Sequence, residues 1–199
     1  MNTKTSSPFW KSAAKRKRFE EPRLNTLQAI LTRRSYRGKY KNVPVPREDL
    51  EKIVEAGLSA PSSCNKQTTS LICVDDADLL KKINSVIEPP VCETAPALIC
   101  VISQKKNAYR DRCFWIQDYS AAIQNMLLAI VELGYQSCWY EGHITDTDRI
   151  CDKIAALLNV PSEYELVCIL PVGVAESEPT MPKKKPFSER AWFNSFKVE

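Results

Sequence analysis

The fold of this chain is decided by its longest helical pattern, residues 116–133, which reads IQDYSAAIQNMLLAIVEL. Apolar residues recur there at the spacing of one broad helix face. The face consists of Ile116, Ala122, Ile123, Met126, Leu127, Ile130 and Leu133. Gly134 follows, at the position where a helix commonly ends in a left-handed residue. A helix this apolar is expected to lie at the centre of the fold or across a subunit interface.

Shorter patterns on both sides of this helix predict further helices and strands. Asn25 and Gln28 have the spacing of a capping box, which predicts a helix start. A second helix can open at Pro46, and it must stop before Pro61. The other predicted elements are strands at residues 70–74, 97–103, 136–140 and 165–174 and a helix at residues 146–158 that is capped by Asp146 or Thr147. These elements do not alternate as strict βαβ units, and no GxGxxG motif is present, so a classical dinucleotide-binding fold has little support.

Composition fits one soluble domain. The chain has 199 residues, of which 44% are hydrophobic and 26% charged. Residues 1–23 lack periodicity and carry a basic run at 15–18, so we expect a flexible or partner-clasping arm before a single domain at 24–199. The simpler interpretation of residues 15–18 is a basic run that is exposed to solvent, and the alternative is nucleic-acid binding. The net charge of +4 is too mild to imply a nucleic-acid partner.

The sequence favours the cytoplasm and argues against a metal site. No apolar stretch reaches the ~20 residues that cross a bilayer, and the N-terminus has no signal-peptide pattern. We therefore expect no membrane partner. The eight cysteines include no CxxC pair and several lie in apolar runs, so reduced, mostly structural thiols are expected. The only histidine, His143, gives no second ligand for zinc.

Four polar segments are candidates for ligand binding. Residues 33–37, Arg-Arg-Ser-Tyr-Arg, can hold a phosphate through charge-assisted hydrogen bonds, or they can complement the negative end of a helix. The small and amide side chains of residues 60–67 can meet a planar polar ligand, or they form an ordinary loop. Residues 139–142 end a predicted strand with a glycine that a ligand can approach closely. Residues 181–187 place lysines between prolines, as a cationic loop or a solvated stretch.

Taken together, these motifs resemble the nitroreductase family of flavoproteins over residues 27–193. The family opens with a helix that ends in Arg-Arg/His-Ser-x-Arg/Lys, which residues 33–37 match. Its Ala-Pro-Ser-Ser-x-Asn-x-Gln loop is matched at 60–67, and its core helix resembles residues 118–129. Further matches are Ala95-Pro96, the segment 133–139, Val172-Gly173 and the late Pro-Lys-x-Lys. The resemblance implies an α+β three-layer sandwich, with a mixed central sheet flanked by helices, in an intertwined homodimer.

The resemblance also implies an FMN site shared between subunits. The FMN phosphate and ribityl chain would be held by Arg33, Arg34, Ser35 and Arg37 and by Lys183 and Lys185. The partner subunit would supply Pro61, Ser62, Ser63, Asn65 and Gln67. Tyr140, Glu141 and Gly142 would lie at the flavin ring, where the backbone of Glu141 and Gly142 would serve hydride transfer by donating an N–H to the ring nitrogen. Thr68 and Thr69 follow Gln67 where the family often has Pro-Trp, which alters the wall beside the flavin or the interface.

The implied activity is hydride transfer from NADH or NADPH through FMN to a small acceptor, such as a nitroaromatic compound or a quinone, in a ping-pong sequence. The chemistry belongs to the cofactor, so no catalytic histidine or carboxylate pair is required. Two alternatives stay open: a flavin-dependent dehalogenase or flavin-degrading enzyme on the same fold, and a non-catalytic flavin-binding or redox-sensing protein. The polar stretch 104–113 is shorter than the helical insertion of many relatives, which suggests a more open pocket.

Overall fold

The computed structural model describes residues 24–196, so the basic arm at 1–23 lies outside the described residues. The helices are α1 (Thr26–Thr32), α2 (Arg47–Leu58), α3 (Ala77–Asn84), α4 (Trp115–Glu132), α5 (Gly142–Thr145) and α6 (Ile150–Leu157). The strands are β1 (Thr69–Val74), β2 (Ala97–Ser103), β3 (Asn107–Tyr109), β4 (Arg112–Cys113) and β5 (Glu165–Val172). Short 3-10 turns lie at Ser63–Asn65 and Phe187–Glu189.

The strands β1, β2 and β5 form an antiparallel sheet that separates two hydrophobic cores. Strand β2 is central and buried along its whole length, so its alternate residues face opposite cores. Leu98 and Cys100 pack with α3, α5 and α6, whereas Ile99 and Val101 pack with α2 and α4. The helix α1 packs on the outside of α4. This arrangement confirms the expected α+β three-layer sandwich.

Two sequence signals for helix ends are confirmed, one at the start of α1 and one at the end of α4. Asn25 and Gln28 form the reciprocal capping box at the start of α1, with both hydrogen bonds at 2.9 Å. Gly134 follows α4 with a φ of 85°, the left-handed conformation expected there. The predicted start of the last helix near Asp146 is wrong, because α5 ends there. The helix α6 begins at Ile150, after Arg149 with a φ of 52°.

Residues 136–140 extend the sheet through isolated bridges rather than a full ladder. Tyr140 pairs with Ile169 and Gln136 with Gly173, both antiparallel to β5. This register puts Pro171 opposite the middle of the segment, and proline has no N–H to complete the ladder. On its far side the segment carries a parallel bridge between Ser137 and Ser35, so the extended sheet is mixed, as expected.

No helix within the described part of the chain is long and apolar enough to cross a membrane.

Burial is expected to slow the alkylation of cysteine thiols, including one at the surface. The eight cysteines are free, and burial raises the pKa of Cys92 and Cys100 to about 12. Cys73 is exposed on β1, yet partial burial of its thiol and the nearby Asp75 carboxylate raise its pKa to about 11. The thiolate is the reactive form, so we expect Cys73 to alkylate more slowly than the exposed Cys113 at neutral pH. Its rate should keep rising until the pH approaches about 11.

Peptide mapping after timed alkylation with iodoacetamide measures both rates in one sample. The buried Cys100 serves as the internal control, because it should stay unmodified until the protein unfolds. Equal rates for Cys73 and Cys113 across the pH range would contradict the assignment of a raised pKa to Cys73.

Candidate functional site

The segment from Arg33 to Arg37 is fixed by the end of α1 and by the edge of the sheet. Arg33 is the C-cap of α1, and its N–H donates back into the helix. The N–H of Tyr36 donates to the carbonyl of Ser137 at 2.8 Å, next to the bridge between Ser137 and Ser35. Tyr36 is buried, whereas Ser35 and Arg37 are exposed. The alternation of an extended segment therefore turns the polar side chains outward.

Arg33, Ser35 and Arg37 converge on the thiol of Cys138. Burial raises the pKa of Cys138, and the charge of Arg37, a hydrogen bond with Ser35 and the charge of Arg33 act against that rise. Burial likewise raises the pKa of Tyr140 to about 12, and the charge of Arg37 again opposes the rise. The bridge between Ser35 and Ser137, the residue before Cys138, holds these groups close together. The residues expected at the cofactor that are thus neighbours within one chain are Arg33, Ser35, Arg37 and Tyr140.

Arg34 differs from its two neighbouring arginines. Its Nη1 donates to the carbonyl of Leu31 at 2.8 Å and to that of Arg33 at 3.2 Å. These carbonyls belong to the end of α1, where backbone acceptors lack partners and the helix dipole is negative. The side chain of Arg34 therefore caps the helix, which is the alternative role considered for this segment.

The environment of residues 33–37 fits an anionic group. Ser137 is 3% exposed, and its Oγ has no hydrogen-bond partner among residues 24–196. A buried hydroxyl without a partner costs free energy unless something satisfies it. Beside Ser137, the segment at 33–37 supplies the guanidinium groups of Arg33 and Arg37 and the hydroxyl of Ser35. A phosphate, with its acceptor oxygens and negative charge, matches this donor set.

The loop from Pro61 to Gln67 is held by the buried carboxylate of Asp118, in the first turn of α4. Asp118 Oδ1 accepts the N–H of Ser63 at 2.8 Å, and its Oδ2 accepts the hydroxyl of Thr68 at 2.8 Å. Within the loop, Ser62 Oγ accepts the N–H of Gln67 at 2.9 Å. Asp118 is only 5% exposed, so both of its oxygens are committed to the loop. One acidic side chain thus fixes both ends of the loop.

This loop also stores backbone strain beside a cavity. Cys64, Asn65 and Gln67 have φ angles of 48°, 51° and 49°, in the left-handed region that non-glycine residues seldom adopt. Such residues cost about 1–3 kcal/mol each and persist where surrounding contacts determine them. The adjoining cavity of about 290 Å³ is lined in part by Pro61, Gln67 and Thr69. Thr69 Oγ1 is buried and has no partner among residues 24–196.

The carboxylate of Glu141 is clamped by two aromatic side chains. The Tyr119 hydroxyl donates to Oε1 at 2.6 Å, and the Trp139 indole N–H donates to Oε2 at 2.7 Å. Burial and then the hydrogen bond to Glu141 raise the pKa of Tyr119 well above its usual value. Tyr119 therefore stays neutral and keeps donating. Both oxygens of Glu141 are used inside the protein, so its side chain has a positioning role.

The backbone after the clamp is open to a ligand. Gly142 starts α5, so its N–H has no acceptor within the helix. Neither Glu141 nor Gly142 donates its N–H to any other described residue. A Cβ added at Gly142 would meet nothing within 4 Å, so a planar ligand can approach this backbone. These features fit the expected place of a flavin ring.

Replacing Tyr119 by phenylalanine tests the clamp. We expect a loss of about 1–2 kcal/mol in the free energy of unfolding, because Glu141 Oε1 would lose its donor in a largely buried place. Denaturant unfolding followed by fluorescence measures this loss. The control is Tyr164→Phe, because the Tyr164 hydroxyl forms no hydrogen bond within residues 24–196. A Tyr119→Phe protein as stable as this control would contradict the clamp.

The first turn of α4 joins two parts of the site. Asp118 holds the loop at 61–67, and its neighbour Tyr119 holds Glu141. Sequence reasoning placed both residues only on a helix and missed their roles, as it missed those of Trp139 and Ser137. A charged residue beside the apolar helix face is the one signal that could have pointed to Asp118.

The C-terminal lysines are not brought to the arginines within one chain. Residues 181–190 are exposed throughout, and Lys185 lies 3.9 Å from Glu189. The segment leaves the sheet near the arginines, because Tyr40 forms a bridge with Ala175. Lys183 and Lys185 are thus exposed, and Lys185 faces Glu189 in a long ion pair. Nε2 of His143, the only histidine in the sequence, lies 3.0 Å from the carbonyl oxygen of Pro89.

Large apolar side chains are also exposed on several elements. In α1 the side chains of Leu27 and Leu31 are 70% and 72% exposed, and only Ala29 is buried. Other exposed members are Leu58, Ile116, Met181, Phe187, Phe193 and Phe196. The exposed pair Leu27 and Leu31 on the short helix α1 is suited to bury against a binding partner.

Comparisons with known proteins agree on one family. A model of the nitroreductase family matches residues 30–91 and 86–174. A protein of Methanothermobacter thermautotrophicus described as an NADH dehydrogenase/NAD(P)H nitroreductase is 33% identical over 79% of this chain and 81% of its own length. Iodotyrosine deiodinase of Thermotoga neapolitana is 27% identical over 74% of this chain and 88% of its own.

A solved structure adds the fold. The FMN-dependent nitroreductase of Clostridium difficile superposes with a TM-score of 0.73 and 32% identity, over 85% of this chain and 99% of that one.

Proposed function

Because the chain belongs to the nitroreductase family, we propose that it is an FMN-dependent oxidoreductase. It would use NADH or NADPH to reduce a small oxidised acceptor, such as a nitroaromatic compound or a quinone. The observation that carries the proposal is the basic segment at residues 33–37, which a backbone hydrogen bond from Tyr36 to Ser137 and the bridge between Ser35 and Ser137 hold at the sheet edge beside Cys138. A relative whose description names NAD(P)H and a solved structure whose description names FMN support the same reading.

In this proposal the phosphate of FMN binds to Arg33, Ser35 and Arg37, and the backbone N–H groups of Glu141 and Gly142 face its ring. When bound, FMN would accept hydride from the reduced nicotinamide and deliver two electrons to the acceptor. The chain supplies position and shelter for both reactants. Tyr119 and Trp139 keep the Glu141 backbone in place by binding its carboxylate. Donor and acceptor would use the same pocket in turn, which gives ping-pong kinetics.

We propose that the complete site forms only in a homodimer. The loop at 61–67 and the lysines at 183 and 185 share no described hydrogen bond with residues 33–37 of the same chain. The exposed apolar side chains of α1 and of the C-terminal segment are suited to bury against a second copy. Pro61, Ser62, Ser63, Asn65 and Gln67 would then reach the flavin of the partner, and Lys183 and Lys185 would approach a phosphate.

A dehalogenase activity on the same fold is the second candidate, because iodotyrosine deiodinase is among the relatives. It would keep the same flavin contacts and differ in the acceptor. A non-catalytic flavin-binding or redox-sensing role is the remaining alternative. Turnover with a nitroaromatic acceptor, with iodotyrosine or with neither distinguishes the three.

The decisive test is the visible absorption spectrum of the purified protein, followed by addition of reduced nicotinamide without oxygen. We expect flavin bands that bleach on addition and return with a nitroaromatic acceptor. Size-exclusion chromatography of the same sample should show a dimer. A protein that takes up no FMN when FMN is supplied would overturn the proposal, and a flavin that nicotinamide does not reduce would leave only the binding role.

A further inference from the structure

The hairpin β3–β4 lies against the loop of the candidate site. It leaves the sheet at the end of β2, where the N–H of Gln104 donates to the carbonyl of Thr68 at 3.0 Å. It returns to α4 one turn before Asp118. Between these points β3 packs against the 3-10 turn Ser63–Asn65. The hairpin and the loop at 61–67 are therefore neighbours in one chain, and any flavin that the loop contacts is also near the hairpin.

The hairpin presents cationic and aromatic side chains to solvent. Residues 105–113 contain four basic residues and one acidic residue, Asp111. Lys105 is occupied, because it pairs with Glu165 at 2.7 Å and lies 4.7 Å above the Trp115 ring. Arg110 and Arg112 are exposed, and neither belongs to an ion pair among residues 24–196.

Arg110 and Tyr109 form one exposed surface at the tip. Arg110 has a φ of 51°, and its guanidinium carbon lies 5.3 Å from the centre of the Tyr109 ring. The ring itself is 53% exposed. A guanidinium group next to an accessible aromatic face suits a ligand that combines a flat ring with a negative charge. A purely structural turn has no need of that combination.

We infer that the hairpin β3–β4 recognises a negatively charged group on the molecule that reacts at the flavin, through Arg110 and Arg112 with Tyr109 beside them. The inference rests on the proposed function, because it concerns the pocket of that reaction. The shared chemistry is an oxyanion held by guanidinium donors. It has two possible sources, a carboxylate on an aromatic acceptor and the extra phosphate that distinguishes NADPH from NADH.

The test replaces both arginines in the dimeric flavin-loaded protein, as Arg110→Gln and Arg112→Gln together. The acceptors are para-nitrobenzoate and para-nitrobenzamide, which differ in charge and little in shape. With NADH as donor, we expect KM for the benzoate to rise about tenfold while kcat and the benzamide KM stay the same, since each exposed pair contributes up to a factor of about five. With the benzamide as acceptor, comparing NADPH with NADH tests the phosphate source.

A direct binding measurement separates this inference from the proposed function. Calorimetric titration of the oxidised protein with benzoate needs no turnover, and benzamide is the uncharged reference. Weaker binding of benzoate in the double variant, or a higher KM for NADPH alone, supports recognition by the hairpin and names the source. Unchanged binding and unchanged KM for every charged ligand overturn it, even if the protein proves to be an active flavoenzyme.

The matched control is Lys82→Gln with Lys153→Gln. Both lysines are exposed, on α3 and α6, which pack on the opposite face of the sheet. This variant makes the same change in net charge on helices that pack on the face of the sheet away from α2 and α4. If it raised the benzoate KM as much as the arginine variant, the effect would come from overall charge, and the assignment to the hairpin would be wrong.

Discussion

Replacement of Arg33 and Arg37 together by alanine is expected to yield a protein that is purified without its flavin colour. Both guanidinium groups lie beside Cys138, in the environment that fits a phosphate. A hydrogen bond to a charged group contributes about 1.5–3 kcal/mol. Loss of two arginines then corresponds to about 3–6 kcal/mol, or roughly a hundredfold to ten-thousandfold in the Kd for FMN. Quenching of FMN fluorescence on titration measures that Kd.

Two further arginines make the experiment selective. Arg47→Ala is the control that should leave FMN affinity unchanged. Arg47 pairs with Asp75 at 2.6 Å, and its side chain is 80% exposed. Arg34→Ala tests the different role of the middle arginine, whose side chain caps α1. We expect it to lower stability modestly and to retain most of the FMN affinity. If Arg34→Ala lost FMN as completely as the double variant, the division of roles within residues 33–37 would be wrong.

Removal of the Asp118 carboxylate should have the second largest effect, on stability and cofactor together. The change Asp118→Ala leaves the N–H of Ser63 and the hydroxyl of Thr68 without their acceptor. With about 1–3 kcal/mol for each of the two unsatisfied groups, we expect a loss of about 2–6 kcal/mol. At about 2–4 °C per kcal/mol for a domain of this size, the protein should melt roughly 4–24 °C lower. The left-handed residues of the loop would relax, and FMN binding would weaken.

Two milder variants show whether the loop or the core is responsible. Asp118→Asn keeps the volume and one carbonyl acceptor, so it should recover part of both losses. Thr68→Val removes one of the two bonds and leaves the bond to Ser63 intact. Thermal melting and FMN titration of all three proteins provide the comparison. If Asp118→Ala destabilised the protein but bound FMN normally, Asp118 would not position the loop for the cofactor.

Local sequence rules predicted the elements whose ends are set by nearby residues. The capping box of Asn25 and Gln28, the central helix and its Gly134 terminus all depend on contacts within a few residues. The strand at 136–140 could not be predicted correctly in this way. Its ladder is interrupted because Pro171, far along the chain, lies opposite its middle. The start of α6 was wrong for a related reason, since the turn before it depends on the left-handed Arg149.

The same limit applies to the candidate site. The motif at 33–37 was visible because its charges are adjacent in sequence, and the structure brings Arg33, Ser35 and Arg37 together. The structure adds a distinction that composition does not carry, since Arg34 caps the helix. The supports supplied by Asp118 and Tyr119 were missed, because each binds a residue more than twenty positions away. Long-range pairing of this kind is a property of the folded chain.

The shared first turn of α4 has a consequence for how this protein could diversify. Asp118 and Tyr119 are adjacent, so a change that shifts this turn displaces the loop at 61–67 and the Glu141 backbone at once. Because Asp118 and Tyr119 share this turn, the loop at 61–67 and the backbone beside the proposed flavin ring are difficult to adjust separately. The hairpin β3–β4 contacts this framework through the packing of β3 on the 3-10 turn Ser63–Asn65, whereas its tip at Tyr109 and Arg110 is exposed. Changes at the exposed tip can therefore alter selectivity with less effect on the cofactor framework than changes in the first turn of α4.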